Sequence, residues 1–171
     1  MLVAIEGIDG SGKGTQAERL RAGLVADGVS CSLMSFPRYE ATLFGRAVGD
    51  FLNGRFGTLE QVDPHLAALL YAGDRLESRD DLLAAIDTHD VVVLDRYVAS
   101  NIAHQGAKTA PEERQKIIDW ISQIEHEIYG LPYADLTILL DVHVPTAVEL
   151  IARKSARTYT DQKAEIGRAH V

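Results

Sequence analysis

A glycine-rich turn between an apolar run and a helical pattern constrains this chain more than any other feature. Gly7-Ile8-Asp9-Gly10-Ser11-Gly12-Lys13-Gly14-Thr15 follows Leu2-Val3-Ala4-Ile5 and leads into Gln16-Ala17-Glu18-Arg19-Leu20. The spacing is G-x-x-x-x-G-K in a strand–turn–helix context, which is what gives that pattern physical meaning. Glycines let backbone N–H groups converge on phosphate oxygens with no side chain in the way. The helix N-terminus adds a partial positive charge and Lys13 a full one. Gly7 to Thr15 is therefore read as a phosphate-binding loop. Position 14, where such loops carry a Mg²⁺-binding Ser or Thr, is glycine, and the hydroxyl comes one residue later at Thr15.

The rest of the pattern alternates. A helix is expected from Lys13 to about Ala26 with Gly28 as its stop. Ser30 to Phe36 reads as a strand closed by Pro37, and residues 40–54 as a helix. A long helical region follows, with Leu66, Leu69, Leu70, Gly73 and Leu76 on one face, then a helix over about Arg79–Thr88. Val91-Val92-Val93-Leu94 is a continuous apolar run, suited to a parallel strand covered on both faces. A helix starting around Pro111 carries Ile117, Ile118, Ile121, Ile124 and Ile128 and stops at Gly130. Leu136–Leu140 reads as a fourth strand, and Pro145 opens a last helix. Alternating strands and helices imply an α/β fold in three layers, a parallel sheet surrounded by helices. In such sheets ligands sit at the carboxyl ends of the strands.

Bulk properties narrow the function. The net charge of −8 argues against a nucleic-acid polymer or an anionic membrane as partner. Cys31 is the single cysteine, so it is expected to be a buried thiol rather than half of a disulfide. Glu6 interrupts the N-terminal apolar run too early for a signal peptide, so a cytoplasmic location is expected.

Several clusters carry chemistry. Asp95-Arg96 follows the apolar run: a carboxylate there suits a Mg²⁺ contact, and an arginine fork can bridge two phosphates. Arg38 follows Phe36-Pro37, a combination able to stack a base and clamp a phosphate, although an exposed arginine after a strand is also commonplace. Tyr71 and Arg75 share a helix face at i and i+4, the pattern equally of a core tyrosine beside a solvated arginine. Ser100, Asn101, His104 and Gln105 offer hydrogen bonds to a polar ring, or else form a polar helix start with Ser100 as N-cap. Arg153, Lys154 and Arg157 either compensate the dipole of the last helix or belong to a lid over about 153–162 that brings cations onto a phosphoryl group.

Taken together, Ile5 to Lys13, Phe36-Pro37-Arg38-Tyr39, Asp74-Arg75 preceded by Tyr71, Asp95-Arg96-Tyr97 with Ser100-Asn101 and Gln105-Gly106, and the basic segment resemble bacterial thymidylate kinases over about Met1 to Glu165. The resemblance implies a P-loop nucleoside monophosphate kinase fold and transfer of the γ-phosphoryl group of ATP to dTMP, giving dTDP. It implies ATP phosphates on Gly7, Ile8, Asp9, Gly10, Ser11, Gly12, Lys13, Gly14 and Thr15. Lys13, Arg96, Arg153 and Arg157 would be catalytic. The dTMP site would comprise Asp9, Phe36, Arg38, Tyr71, Arg75, Arg96, Ser100, Asn101 and Gln105, with Asp95 and Asp9 at Mg²⁺. A homodimer is implied as well. Phosphoryl transfer between anions needs charge neutralisation and in-line positioning rather than a covalent nucleophile.

The departures are specific. The glycine loop has no arginine, so the second cation is expected from the basic lid. His104 stands where several members carry a tyrosine that crowds the sugar 2′ carbon. A complete member continues with another helix, a fifth strand and an adenine-holding loop, and this chain is read as ending before them. Ile166-Gly167-Arg168-Ala169-His170-Val171 is the in-frame translation of a common sequencing-adapter stretch, so 166–171 is read as a non-native tail on a kinase domain of residues 1–165. Two alternatives stay open at this level: another nucleoside monophosphate or deoxynucleoside kinase, and a truncated nucleotide-binding domain without turnover. The GTPase reading lacks its Asn-Lys-x-Asp guanine motif.

Overall fold

The apolar run at 91–94 forms an interior strand, as its lack of alternation requires. The computed structural model describes residues 1–153, the last of them by its backbone. In it, β1 (Leu2–Gly7), β2 (Cys31–Ser35), β3 (Val91–Asp95) and β4 (Leu136–Leu140) form a four-stranded sheet in the order β2-β3-β1-β4. All pairings are parallel, with Ile5 opposite Asp95, Ser35 opposite Asp95 and Gly7 opposite Leu140. Val92, Val93 and Leu94 are completely buried.

The described residues fall into two compact units. The first holds Met1–Phe36, Ser78–Tyr97 and the described part of Tyr133–Ser155; the second holds Pro37–Glu77 and Val98–Pro132. The first contains the sheet with α1 (Lys13–Ala26), α4 (Arg79–Thr88) and α7 (Val144–Arg153). Ala17, Leu20 and Leu24 of α1 pack against Ile5, Cys31 and Val93. Cys31 is buried there as expected, and burial pushes its thiol pKa up. β4 is the other edge of the described sheet, and its Leu136 and Leu139 are exposed.

The second unit contains α2 (Leu43–Leu52), α3 (Pro64–Glu77), α5 (Val98–Lys108) and α6 (Arg114–Ser122), which runs on into a π-helical turn, Gln123–Ile128. Thr42 caps α2, its Oγ1 accepting the Gly45 amide at 2.8 Å. α3 packs against α2 and α5.

Three readings of the sequence change here. The face assigned to the long helical region is only in part the buried face of α3: its Gly73 is buried and its Leu69 and Leu70 half-buried, but Leu66 and Leu76 are exposed, and Ala67, Ala68 and Ala72 are buried beside it. Small residues let neighbouring helices approach closely, and the Phe44 ring lies 2.5 Å from where a Cβ on Gly73 would stand. The isoleucine helix starts at Arg114, after a turn at 111–113, and changes to π geometry at Gln123. Ile128 is exposed, and Glu125, four residues after the buried Ile121, is fully buried. Finally, residues 98–108 form a complete helix, so Ser100 lies inside its first turn rather than at the N-cap.

Candidate functional site

In the first unit, the loop after β1 closes tightly, with the Ser11 amide donating to Ile8 O at 3.1 Å, and α1 starts as the Gln16 amide donates to Gly12 O at 2.9 Å. No side chain caps α1 and no acid lies in its first turn, so the positive end of the helix keeps its character. Gly10 has φ 83°, and a Cβ there would lie 2.3 Å from Ala147 O of α7. Backbone conformation and close approach both demand glycine.

Lys13 is buried and its Nζ donates to Ile8 O at 2.7 Å. Burial, and then the neighbouring Arg96 charge, lower its pKa to about 8, against the opposing pull of Asp9, Asp95 and Glu6. Asp95, at the carboxyl end of β3, reaches toward α1: its Oδ2 is 3.0 Å from the position of a Cβ on Gly14. The glycine at position 14 thus has a physical reason. A side chain there would press on the Asp95 carboxylate.

Arg96 adopts φ 69°, the left-handed region that non-glycine residues rarely occupy. Bonds on both sides hold it. Its own amide donates to Ile5 O at 3.0 Å, and the next amide, of Tyr97, donates to the buried Glu6 Oε1 at 2.8 Å. The conformation brings the Arg96 guanidinium back over the glycine loop, where Nη2 donates to Asp9 Oδ1 and Nη1 to Gly7 O. Strained residues so over-determined by their surroundings concentrate at functional sites. Phe36 is buried, its amide donates to Asp95 O at 3.0 Å, and its ring centroid is 6.3 Å from that of Tyr97.

The second unit holds the remaining residues singled out from the sequence. Arg38 is held by its backbone, the amide donating to Asp74 Oδ2 at 3.0 Å. Tyr71 meets Phe51 edge-on with centroids 6.4 Å apart. Arg75 is buried and its Nε and Nη2 donate to the two oxygens of Glu125 at 2.5 and 2.7 Å. Asn101 Nδ2 donates to Glu125 Oε1 at 2.9 Å and to Ala68 O at 3.1 Å, and Gln105 Nε2 donates to Asn101 Oδ1 at 3.4 Å. Ser100 is half-buried in the first turn of α5. Arg75, Asn101 and Gln105 thus belong to one polar network. The side chains of Arg153, Lys154 and Arg157, and with them the expected lid at 153–162, lie outside the described residues.

A family model described as thymidylate kinase matches residues 5–167. The chain belongs to the thymidylate kinase family. It is 37% identical over 149 residues to the thymidylate kinase of Mycobacterium tuberculosis, covering 87% of this chain and 69% of that one. It is 36% identical over 124 residues to the thymidylate kinase of Bifidobacterium longum NCC 2705, covering 70% of this chain and 59% of that one. Among solved structures it is similar to thymidylate kinase from Candida albicans, with a TM-score of 0.67 and 26% identity, covering 91% of this chain and 67% of that chain. The parallel sheet and its order therefore belong to a P-loop nucleoside monophosphate kinase fold.

For a thymidylate kinase family member, three structural roles were not read from the sequence: Glu125 beneath Arg75 and Asn101, Asp74 beneath Arg38, and Glu6 beneath Tyr97. Glu125 carried a signal, an acid set within an isoleucine row. Asp74 and Glu6 stood inside quoted motifs, but their partners are 36 and 91 residues away.

Proposed function

We propose that this chain transfers the γ-phosphoryl group of ATP to the 5′-phosphate of dTMP, giving ADP and dTDP. The observation that carries the reading is the Lys13 loop gathered with Asp95 and the strained Arg96 at the carboxyl ends of β1 and β3. A bond forms between a dTMP phosphate oxygen and the γ-phosphorus, and the bond to the β,γ-bridging oxygen breaks. The acceptor is already an anion, so no general base is needed, and catalysis rests on positioning and charge neutralisation.

Lys13 and the amides of Gly10 to Thr15 would hold the ATP phosphates. Arg96 and Arg38 would grip the dTMP phosphate, Arg75, Ser100, Asn101 and Gln105 would read the base and sugar, and Phe36 and Tyr71 would flank the ring. Arg153 and Arg157 would supply the lid cations. Mg²⁺ commonly takes one or two carboxylates plus substrate phosphates. Asp95, whose carboxylate stands beside the first turn of α1, fits that requirement, with Asp9 as a second oxygen donor. The ion would neutralise charge on the transferring phosphates.

Among the described residues no helix is long and apolar enough to cross a membrane. Leu43 of α2 and Leu66 of α3 are more than half exposed, which supports a second copy of the chain as partner. Sedimentation velocity tests that point.

The deciding experiment is ADP release with dTMP, dUMP, dGMP, AMP and thymidine as acceptors, beside Lys13→Ala. The fastest turnover with dTMP, lost in the variant, is expected. A best rate with AMP or thymidine sinks the reading.

A further inference from the structure

Glu125 is fully buried on a helix whose other deeply buried positions are Ile117 and Ile121. A buried carboxylate is tolerated only when its oxygens are well partnered. Here they are: Oε2 accepts Arg75 Nε, and Oε1 accepts both Arg75 Nη2 and Asn101 Nδ2. The backbone departs from α geometry at this same place. The Tyr129 amide donates to Ile124 O at 2.9 Å, a bond to the fifth residue back, within the π turn Gln123–Ile128. In a regular α-helix the face begun by Ile117 and Ile121 continues through Ile124, Glu125 and Ile128. Here Glu125 is its fully buried member and Ile128, at the end of the wider turn, is exposed. Single π turns inside α-helices occur frequently at functional sites.

The carboxylate decides the direction of everything attached to it. It occupies the Nε–Nη2 edge of Arg75 and so fixes how this donor-only guanidinium is turned. It also fixes which end of the Asn101 amide is nitrogen, since Nδ2 lies between Glu125 Oε1 and Ala68 O. Asn101 Oδ1 then faces Gln105 Nε2, which fixes the Gln105 amide in turn. Gln105 Oε1 is buried and has no hydrogen-bond partner among the described residues, an acceptor held ready. One carboxylate therefore places the Arg75 donors and sets an acceptor at Gln105. A 4-oxo pyrimidine presents the complement, a carbonyl beside an N–H; a 4-amino pyrimidine presents the reverse, an NH₂ beside a bare ring nitrogen.

We propose that Glu125 is a positioning residue that places Arg75, locks the hydrogen-bond polarity of Asn101 and Gln105, and thereby selects 4-oxo over 4-amino pyrimidine nucleotides. The inference rests on the phosphoryl-transfer reading above and goes beyond it to a residue outside the expected substrate contacts.

The test uses the full chain, with Glu125→Gln and Glu125→Asp, ATP, and either dTMP or dCMP as acceptor, alongside thermal melts. Glu125→Gln keeps the volume but adds a donor facing donors. It is expected to raise KM for dTMP about tenfold, leave KM for ATP within about twofold, and shrink the dTMP-to-dCMP ratio of kcat/KM about tenfold. Glu125→Asp, which keeps the charge, is expected to recover part of that ratio. A folded Glu125→Gln with a wild-type ratio overturns the proposal. So does a loss equal for dTMP, dCMP and ATP, or failure of both variants to fold, since each leaves Glu125 a purely structural role. A wild-type chain that does not phosphorylate dTMP instead sinks the functional reading itself, and this inference with it.

Discussion

Asp74 holds the backbone of Arg38: Asp74 Oδ2 accepts the Arg38 amide at 3.0 Å while Oδ1 accepts Thr42 Oγ1 at 2.5 Å. Thr42 in turn accepts the Gly45 amide and caps α2. One buried carboxylate thus ties the segment bearing Arg38 to the start of α2. Burial pushes its pKa up, outweighing the hydrogen bonds from Thr42 and the Arg38 amide and the nearby arginine charges.

Removing that carboxylate and neutralising it are expected to differ. Asp74→Ala strands two buried donors and costs about 2–4 kcal/mol. Asp74→Asn keeps an acceptor for the Arg38 amide and offers its NH₂ to Thr42 Oγ1, so its cost stays within about 1 kcal/mol. The pH dependence follows from the sign. A carboxyl whose folded pKa is raised binds its proton more tightly in the fold than in the unfolded chain. Its contribution is therefore greatest below the ordinary carboxylate pKa and declines as pH rises through the raised one. Urea denaturation from pH 4 to 8 is expected to show that decline in the wild type and not in Asp74→Asn.

Lys13 gives a second pH signature. With its pKa lowered to about 8 by burial, it is largely neutral at pH 9 in the free protein. A bound polyphosphate favours the ammonium, so binding ATP takes up a proton in the window between about 8 and the ordinary lysine value. Affinity is expected to weaken as pH rises through that window, by up to about tenfold per unit. Calorimetry at pH 9 in two buffers of different ionisation enthalpy measures the uptake directly; at pH 6.5 none is expected. Equal heats at pH 9 would exclude Lys13 as the titrating group.

The strand–loop–helix core was legible because local signals and global packing agree there. Leu2 to Ala26 needed only an apolar run, a glycine spacing and a helix stop, and Val91–Leu94 only its lack of alternation. The polar network was less legible. Arg75 and Asn101 were singled out, but the carboxylate that holds them lies 50 and 24 residues further along, in a turn whose geometry the α-helical period does not describe. The buried face of α3 was misread in part for a related reason. Leucines at helical spacing mark a stripe, but of that stripe Gly73 alone is fully buried, and close helix contact selected the alanines beside it.

Gly10→Ala tests whether the loop tolerates a single methyl group. The new Cβ would stand 2.3 Å from Ala147 O and 2.8 Å from Ile151 Cγ1, at a φ of 83°. Backbone strain in the left-handed region costs about 1 kcal/mol, and displacing α7 adds to it, so a total loss of about 2–4 kcal/mol is expected. ATP affinity should fall along with stability, because the displaced backbone carries the loop amides. A melting temperature and an ATP Kd both unchanged would place α7 elsewhere in solution.

Gly14→Ala separates stability from catalysis. Gly14 lies in the first turn of α1, where alanine favours the helix over glycine by up to about 1 kcal/mol. Its methyl group would stand 3.0 Å from Asp95 Oδ2, tight enough that the carboxylate must move by a few tenths of an ångström. If Asp95 holds the Mg²⁺ that neutralises the transferring phosphates, that movement weakens the metal site while the helix gains. The variant is therefore expected to melt no lower than the wild type, to need about three- to tenfold more Mg²⁺ for half-maximal rate, and to keep its KM for dTMP. An unchanged Mg²⁺ requirement in a variant of equal or higher melting temperature would remove Asp95 from the metal site, leaving Asp9 as its carboxylate.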